Sequence, residues 1–251
     1  MAILLLDVGN SRLKWIFDED LLAGRRAEVL AGDAPAPAWE TRPPQEVWVS
    51  CVRDGASEAA LRDRLQALWP VPVRLARSCA YAAGVHNAYE QPTTLGVDRW
   101  LALLAAARRP GAALVVDAGT ALTIDALDAE GQHLGGYILP GTALMLDALQ
   151  RHTARVRIRP EPALRSSGFA RNTHDAVLAG LQLAQQAAVQ QAYAQLQQRS
   201  HKPPRLVLTG GGGAALQEPW SAAQLELEPD LVLWGLLRWG QDCGAGAAVP
   251  L

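Results

Sequence analysis

The chain has 251 residues and a formal net charge of −2, and 49% of it is hydrophobic. That length holds one large domain or two of ordinary size, with chain enough to bury a core. The near-neutral charge leaves no electrostatic footprint for nucleic acid, and no stretch nears the roughly 20 apolar residues of a membrane-spanning helix. Cys51, Cys79 and Cys243 lie far apart with no zinc-type spacing, which reads as free thiols in a reducing compartment. The apolar start is too short for a signal peptide and has no basic leader. These features predict a cytoplasmic globular protein with neither a membrane nor a nucleic-acid partner.

The chain opens with an apolar run, Ala2–Leu6, that meets Asp7 and then the small, polar turn Val8-Gly9-Asn10-Ser11. Gly9 and Asn10 accept positive φ more readily than most residues, so a sharp reversal is expected there. Arg12 to Phe17 alternates polar and apolar as a half-buried strand does. One of only two lysines in the chain, Lys14, stands beside this turn. A Pro/Ala-rich loop (34–45) leads to a strand over 46–52 and a helix over 57–68, with a further strand read at 71–76. Residues 80–100 are rich in turns and launch a helix that runs toward Pro110.

The pattern then restarts. Residues 112–127 again give a buried strand ending in an acid, a small-residue turn and a second strand. A glycine-flanked strand over 135–141 and a helix over 142–152 follow. A long helix is predicted over 172–199, with apolar positions Val177, Leu181, Ala184, Ala188, Tyr193 and Leu196 at helical spacing. A strand at 205 runs into the glycines Gly210 to Gly213, and an amphipathic helix over 227–240 closes the pattern, with Pro229 at its start. LLLDVGNSRLKWIF and LVVDAGTALTIDAL share one grammar, so the chain reads as two halves of a duplicated fold divided near Gly111. Their separation is far too large for a solenoid repeat.

Two Asp-x-Gly-polar turns suit phosphate. Glycine lets backbone N–H groups approach phosphate oxygens, and an acid beside them calls for a cation. Asp7 and Asp117 are therefore read as cation holders in a nucleotide site. No G-x-x-x-x-G-K-[ST] pattern occurs, which sets P-loop enzymes aside. The four-glycine run reads equally as a nucleoside platform or a flexible turn. The histidines, among them His133 in polar surroundings, form no constellation.

The paired turns resemble those of the acetate and sugar kinase, Hsp70 and actin superfamily. DVGNS, HNAYEQPTTLGVDRW, VVDAGTALTID, GGYILPG and RNTHDAVLAG, in that order, resemble type III pantothenate kinase. The resemblance implies an α/β fold of two actin-like (ribonuclease H-like) domains, each a mixed sheet flanked by helices, with a nucleotide cleft between them. Residues 1–111 would carry the first phosphate loop and the Gly-x-Asp-Arg segment. Residues 112–251 would carry the second loop, the glycine-rich turn and a dimer helix. The implied reaction is ATP-dependent phosphorylation of pantothenate, the first committed step of coenzyme A synthesis. ATP would come with Mg2+, a monovalent cation (K+ or NH4+) would be required, and the protein would be a homodimer.

Residue by residue, the resemblance implies that Asp7, Val8, Gly9, Asn10, Ser11, Arg12, Leu13 and Lys14 form the first phosphate loop. Ser11 stands where threonine is commoner in the family. Asp98 matches the catalytic base, within a substrate-contacting segment of Gly96, Val97, Asp98 and Arg99. Tyr89 and Thr173 match further substrate positions, Thr120 an ATP contact and Asp117 the monovalent-cation ligand. Plainer roles stand beside these: Asp98 as a carboxylate answering a helix dipole, Arg99 in a surface ion pair, Tyr89 as a packing aromatic, Thr173 as a helix cap. Two rival functions share the motifs: another small-molecule kinase of the superfamily, and a non-catalytic accessory or regulatory protein on the same fold.

Overall fold

The apolar run at the start becomes strand β1 (Ile3–Val8), which pairs antiparallel with β2 (Leu13–Phe17). The computed structural model describes residues 2–10, 12–30, 39, 41–153, 169–218 and 220–244; Ser11 lies outside them. A short helix, α1 (Asp18–Leu22), follows β2 directly, and the Asp18 carboxylate returns to accept the Ile3 N–H at 2.9 Å. Next come β3 (Glu28–Leu30), β4 (Glu46–Cys51), α2 (Gly55–Leu68) and β5 (Val73–Leu75). The Asp54 side chain caps α2 by accepting the Ser57 N–H at 2.8 Å, so the helix begins before the predicted residue 57. A small hairpin of β6 (Tyr81–Ala82) and β7 (Val85–His86) leads to α3 (Val97–Ala106).

The second half supplies β8 (Ala113–Ala118), β9 (Ala121–Leu127), β10 (His133–Pro140), α4 (Thr142–His152), α5 (Thr173–Arg199), β11 (Arg205–Thr209), β12 (Leu225–Leu227) and α6 (Leu231–Gly244). Its sheet repeats the order of the first: β3-β2-β1-β4-β5 is matched by β10-β9-β8-β11-β12. In each, the acid-bearing strand pairs antiparallel with its hairpin partner and parallel with the next strand. Both sheets are therefore mixed. The duplicated grammar of the sequence is a duplicated topology.

The chain forms two compact units. The first runs to Pro110 and also takes in Gly131–Leu134 and the segment from Asp230 onward; the second holds Gly111–Glu130 and Gly135–Pro229. Cutting in sequence order at Gly111 would leave α6 with the second half. The structure groups it with the first because Leu233 and Leu236, fully buried, lie on a helix that packs against α3, β1 and β4. Close approach makes this possible. A methyl group on Gly235 would collide with the Leu101 carbonyl of α3, and one on Gly240 with the Trp48 ring.

Within the first unit, one sheet face carries Leu4, Leu6, Val8, Leu13, Trp15, Val47, Val49 and Cys51 against Leu61 and Leu65 of α2. Asp7 and Ser50 therefore fall on the opposite face, since side chains alternate along a strand. In the second unit Leu114, Val116, Leu206 and Leu208 pack on Val189, Ala192, Tyr193 and Leu196 of α5. The buried stripe of α5 includes Gln185 in place of the expected Ala184, which is exposed. The Gln185 amide is satisfied: its Oε1 accepts from the Thr142 hydroxyl at 3.0 Å and its Nε2 donates to the Pro140 carbonyl at 3.4 Å.

Candidate active site

In the first unit, Asp7 stands next to last in β1, in register with Lys14 on β2 and Ser50 on β4. The turn is sealed by the Gly9 N–H donating to the Arg12 carbonyl at 2.9 Å. Gly9 is absent from the positive-φ glycines of the described residues, so conformational freedom is not what it contributes. Its role is close approach: a Cβ there would sit 3.2 Å from the Arg12 carbonyl oxygen. Val8 and Leu13 point into the core, which leaves only their backbone groups for a ligand. Asn10 and Arg12 are exposed, and Asp7 and Lys14 half-buried. Arg53, just past β4, donates from Nε to the Gly9 carbonyl at 3.3 Å and so braces the turn from the neighbouring strand.

The Gly96-Val97-Asp98-Arg99 segment opens α3. Gly96 is its N-cap, without a capping side chain, so the first-turn N–H groups are left to Asp98. The Asp98 Oδ1 accepts the Arg99 N–H at 2.8 Å. A methyl group on Gly96 would lie 2.8 Å from that same oxygen, so glycine is what gives the carboxylate its place. Arg99 does not lie at the surface, where the plainer reading of its charge put it. It is buried, and its Nη1 donates to the Tyr89 hydroxyl at 2.8 Å. Tyr89 in turn stacks on His133, with centroids 6.0 Å apart and planes at 18°. The structure thus brings Tyr89, Asp98 and Arg99 together.

In the second unit, Asp117 repeats the placement of Asp7, in register with Thr123 on β9 and Thr209 on β11. The Gly119 N–H donates to the Ala121 carbonyl at 3.0 Å, the counterpart of the Gly9 bond. Thr120 is exposed at the tip, and its carbonyl accepts the Gly141 N–H at 3.0 Å. Gly210, at φ +86, runs so close that a Cβ would strike the Asp117 carboxylate and the Ala118 backbone. The Gly212 N–H donates to the Ala118 carbonyl at 2.8 Å. The glycine run is thus fixed against the second turn, with Gly210 packed on Asp117. Its carboxylate and the neighbouring threonine hydroxyls are oxygen donors of the kind hard cations take.

Thr173 opens α5 and is exposed. The capping role falls to its neighbour: Asn172 Oδ1 accepts the Asp175 N–H at 2.9 Å. Asp125, on β9, is buried. His133 was set aside in the sequence, yet it is buried against Tyr89. No local signal marks it, because its backbone partner Ala88 is 45 residues away in the chain. Among the described residues no cluster of three or more His, Cys, Asp or Glu side chains forms a metal site, and no helix is long and apolar enough to cross a membrane.

The family model for type III pantothenate kinase matches residues 3–195. A type III pantothenate kinase of Methylibium petroleiphilum is 38% identical over 254 residues, covering 94% of this chain and 97% of that protein. One of Chromobacterium violaceum is 38% identical over 240 residues, covering 94% and 98%. Among solved structures, a protein from Campylobacter jejuni assigned to the Baf family of transcriptional activators aligns over 95% of this chain and 97% of its own, with a TM-score of 0.60 at 22% identity. A protein from Sinorhizobium meliloti described as a 2-dehydro-3-deoxygalactonokinase aligns over 95% and 98%, with a TM-score of 0.54 at 17% identity. Those two likenesses concern the fold, which is the α/β, actin-like fold with two mixed sheets flanked by helices. The chain belongs to the type III pantothenate kinase family.

Proposed function

We propose that this chain transfers the γ-phosphoryl group of ATP to the 4′-hydroxyl of pantothenate, giving 4′-phosphopantothenate and ADP in coenzyme A synthesis. The observation that carries the reading is the start of α3, where Gly96 makes room for the Asp98 carboxylate beside the Arg99–Tyr89 pair. Asp98 takes the hydroxyl proton as the new oxygen–phosphorus bond forms and the bond to the ADP oxygen breaks. Arg99 and Tyr89 hold the substrate, the guanidinium offering its fork to the pantothenate carboxylate. Gly96, Val97 and Thr173 complete the substrate contacts.

Asp7 to Lys14, with Thr120, serve ATP. Backbone groups at Gly9 and the polar groups of Asn10 and Lys14 face phosphate, and Asp7 holds the nucleotide's Mg2+ directly or through water. Asp117, whose carboxylate lies beside Gly210, would supply an oxygen donor to K+ or NH4+. Bound cations offset the phosphate charge that would otherwise repel the two carboxylates. The enzyme acts in the cytoplasm as a homodimer. The exposed apolar side chains of Tyr137, Ile138, Leu144 and Leu183 on the second unit support that assembly.

The test is ADP release from the purified chain with ATP, Mg2+ and pantothenate, with and without K+, beside Asp98→Asn. Turnover that requires pantothenate and K+ and falls by about 10²–10⁴ in the folded variant is expected for loss of a general base. A folded protein that binds ATP yet leaves pantothenate unphosphorylated would return the choice to another acceptor or an accessory role.

A further inference from the structure

His133 is one of few buried polar side chains among the described residues, and nothing in the proposed reaction uses it. It stands at the start of β10, in the short Gly131–Leu134 piece that belongs to the first unit. That piece is tied to the hairpin preceding Tyr89: the His86 N–H donates to the Gly131 carbonyl at 2.9 Å, and His86 and Gln132 form a β-bridge. A methyl group on Gly131 would collide with the Gly84 carbonyl, so the two backbones run in contact.

From this platform the imidazole makes two contacts with the Tyr89 segment. Its Nδ1 accepts the Ala88 N–H at 3.4 Å, a long bond, and its ring lies nearly parallel to the Tyr89 ring. Accepting at Nδ1 puts the proton of the neutral ring on Nε2. Tyr89 is held from the other side of its own residue as well. Its N–H donates to Asn87 Oδ1 at 3.0 Å, while the Asn87 amide donates to the carbonyls of Cys79 and Pro92. Backbone and ring are thus both set, and the phenol oxygen arrives within 2.8 Å of the Arg99 guanidinium.

We propose that His133 is a positioning residue for substrate. It fixes the Tyr89 ring and the Ala88–Tyr89 backbone so that the Tyr89 hydroxyl and the Arg99 guanidinium form one rigid donor group for the acceptor's anionic end. This rests on the pantothenate reading of the same site. A donor pair already held in place loses less conformational freedom on binding, so releasing it should weaken acceptor binding while sparing ATP.

The experiment measures steady-state KM and kcat for pantothenate and for ATP in wild type, His133→Ala, His133→Asn, Tyr89→Phe and the double variant His133→Ala/Tyr89→Phe. His133→Ala is expected to raise the pantothenate KM about tenfold with the ATP KM unchanged. Asn presents an amide oxygen near the Nδ1 position and should recover part of that loss. In Tyr89→Phe there is no hydroxyl to aim, so adding His133→Ala should raise KM much less than it does alone. A pantothenate KM within twofold of wild type in His133→Ala, or independent effects that multiply in the double variant, would overturn the proposal. If Ala unfolds the protein, His133→Leu, which fills the space without an acceptor, and its combination with Tyr89→Phe decide the matter by the same two criteria. Wild type without pantothenate turnover refutes the functional reading itself, an outcome distinct from any result with the variants.

Discussion

Gly96→Ala isolates the demand that the proposed catalytic segment makes on one backbone position. Gly96 has φ −53 and ψ 134, which alanine adopts without strain, so the backbone should tolerate the change. The added methyl group lies 2.8 Å from Asp98 Oδ1, where ordinary contact begins near 3.4 Å. The carboxylate must therefore shift by about 0.6 Å or turn away, weakening its 2.8 Å bond to the Arg99 N–H. A misplacement of about 1 Å at a reacting group costs on the order of a hundredfold in rate. We expect kcat for pantothenate-dependent ADP release to fall by about tenfold to a hundredfold. Alanine is the poorer N-cap, which accounts for under about 1 kcal/mol of stability. For a chain of this size that moves Tm by no more than about 4 °C. Matched measurements of kcat and thermal unfolding make the check. A kcat within twofold of wild type would show that the Asp98 position is not what Gly96 protects. A collapse of Tm would show that the glycine serves the fold instead.

Gly235→Ala drives a methyl group into the Leu101 carbonyl and should separate α6 from α3, destabilising the first unit by about 1–3 kcal/mol or more in chemical unfolding. Ala83 sits at φ 47 while its N–H is bound by Asp242 and its carbonyl by Arg238. Ala83→Gly should relieve that strain and raise Tm by about 2 °C, since the gain of about 1–2 kcal/mol is partly offset by the freedom glycine adds to the unfolded chain. Burial pushes the Cys51 thiol above its ordinary value of 9.0. The folded state thus holds that proton more tightly than the unfolded chain. Its contribution to stability is complete below the unfolded thiol's pKa and is lost as pH rises through the folded one. Peptide-resolved alkylation at pH 8 should leave Cys51 unmodified in folded protein and label it after denaturation.

Much of this was legible because it is local. The hydrophobic runs ending in Asp7 and Asp117, the small-residue turns after them and the alternation that follows predict two equivalent hairpins, and the paired sheet orders show them. The Gly-Val-Asp-Arg segment marks the start of α3, although the helix begins at Val97, earlier than its apolar run suggests. Two three-residue strands escaped, although the equally short β5 was read within 71–76. The edge strands β3 and β12 have too few positions to display a period, and pairing with β2 and β11 is what makes them strands. Leu227 consequently belongs to β12, and the last helix starts at Leu231, beyond Pro229.

The sequence by itself determined the duplicated architecture, the two acid-and-glycine turns and the identity of the residues at the start of α3. Each depends on order and spacing within a few residues, which a linear chain displays openly. Only the tertiary structure decided what those residues touch. Gly96 and Gly210 stand where a carboxylate or carbonyl comes too close for a Cβ, Gly9 where the fit is tight, and of the three only Gly210 has positive φ. Arg99 turns inward to Tyr89, and His133 becomes part of that assembly from the far end of a connection that folds back onto the first unit. Side chains distant in sequence gain or lose water together when their backbones meet, and that burial is what separates a chemical group at a site from the same residue on a surface.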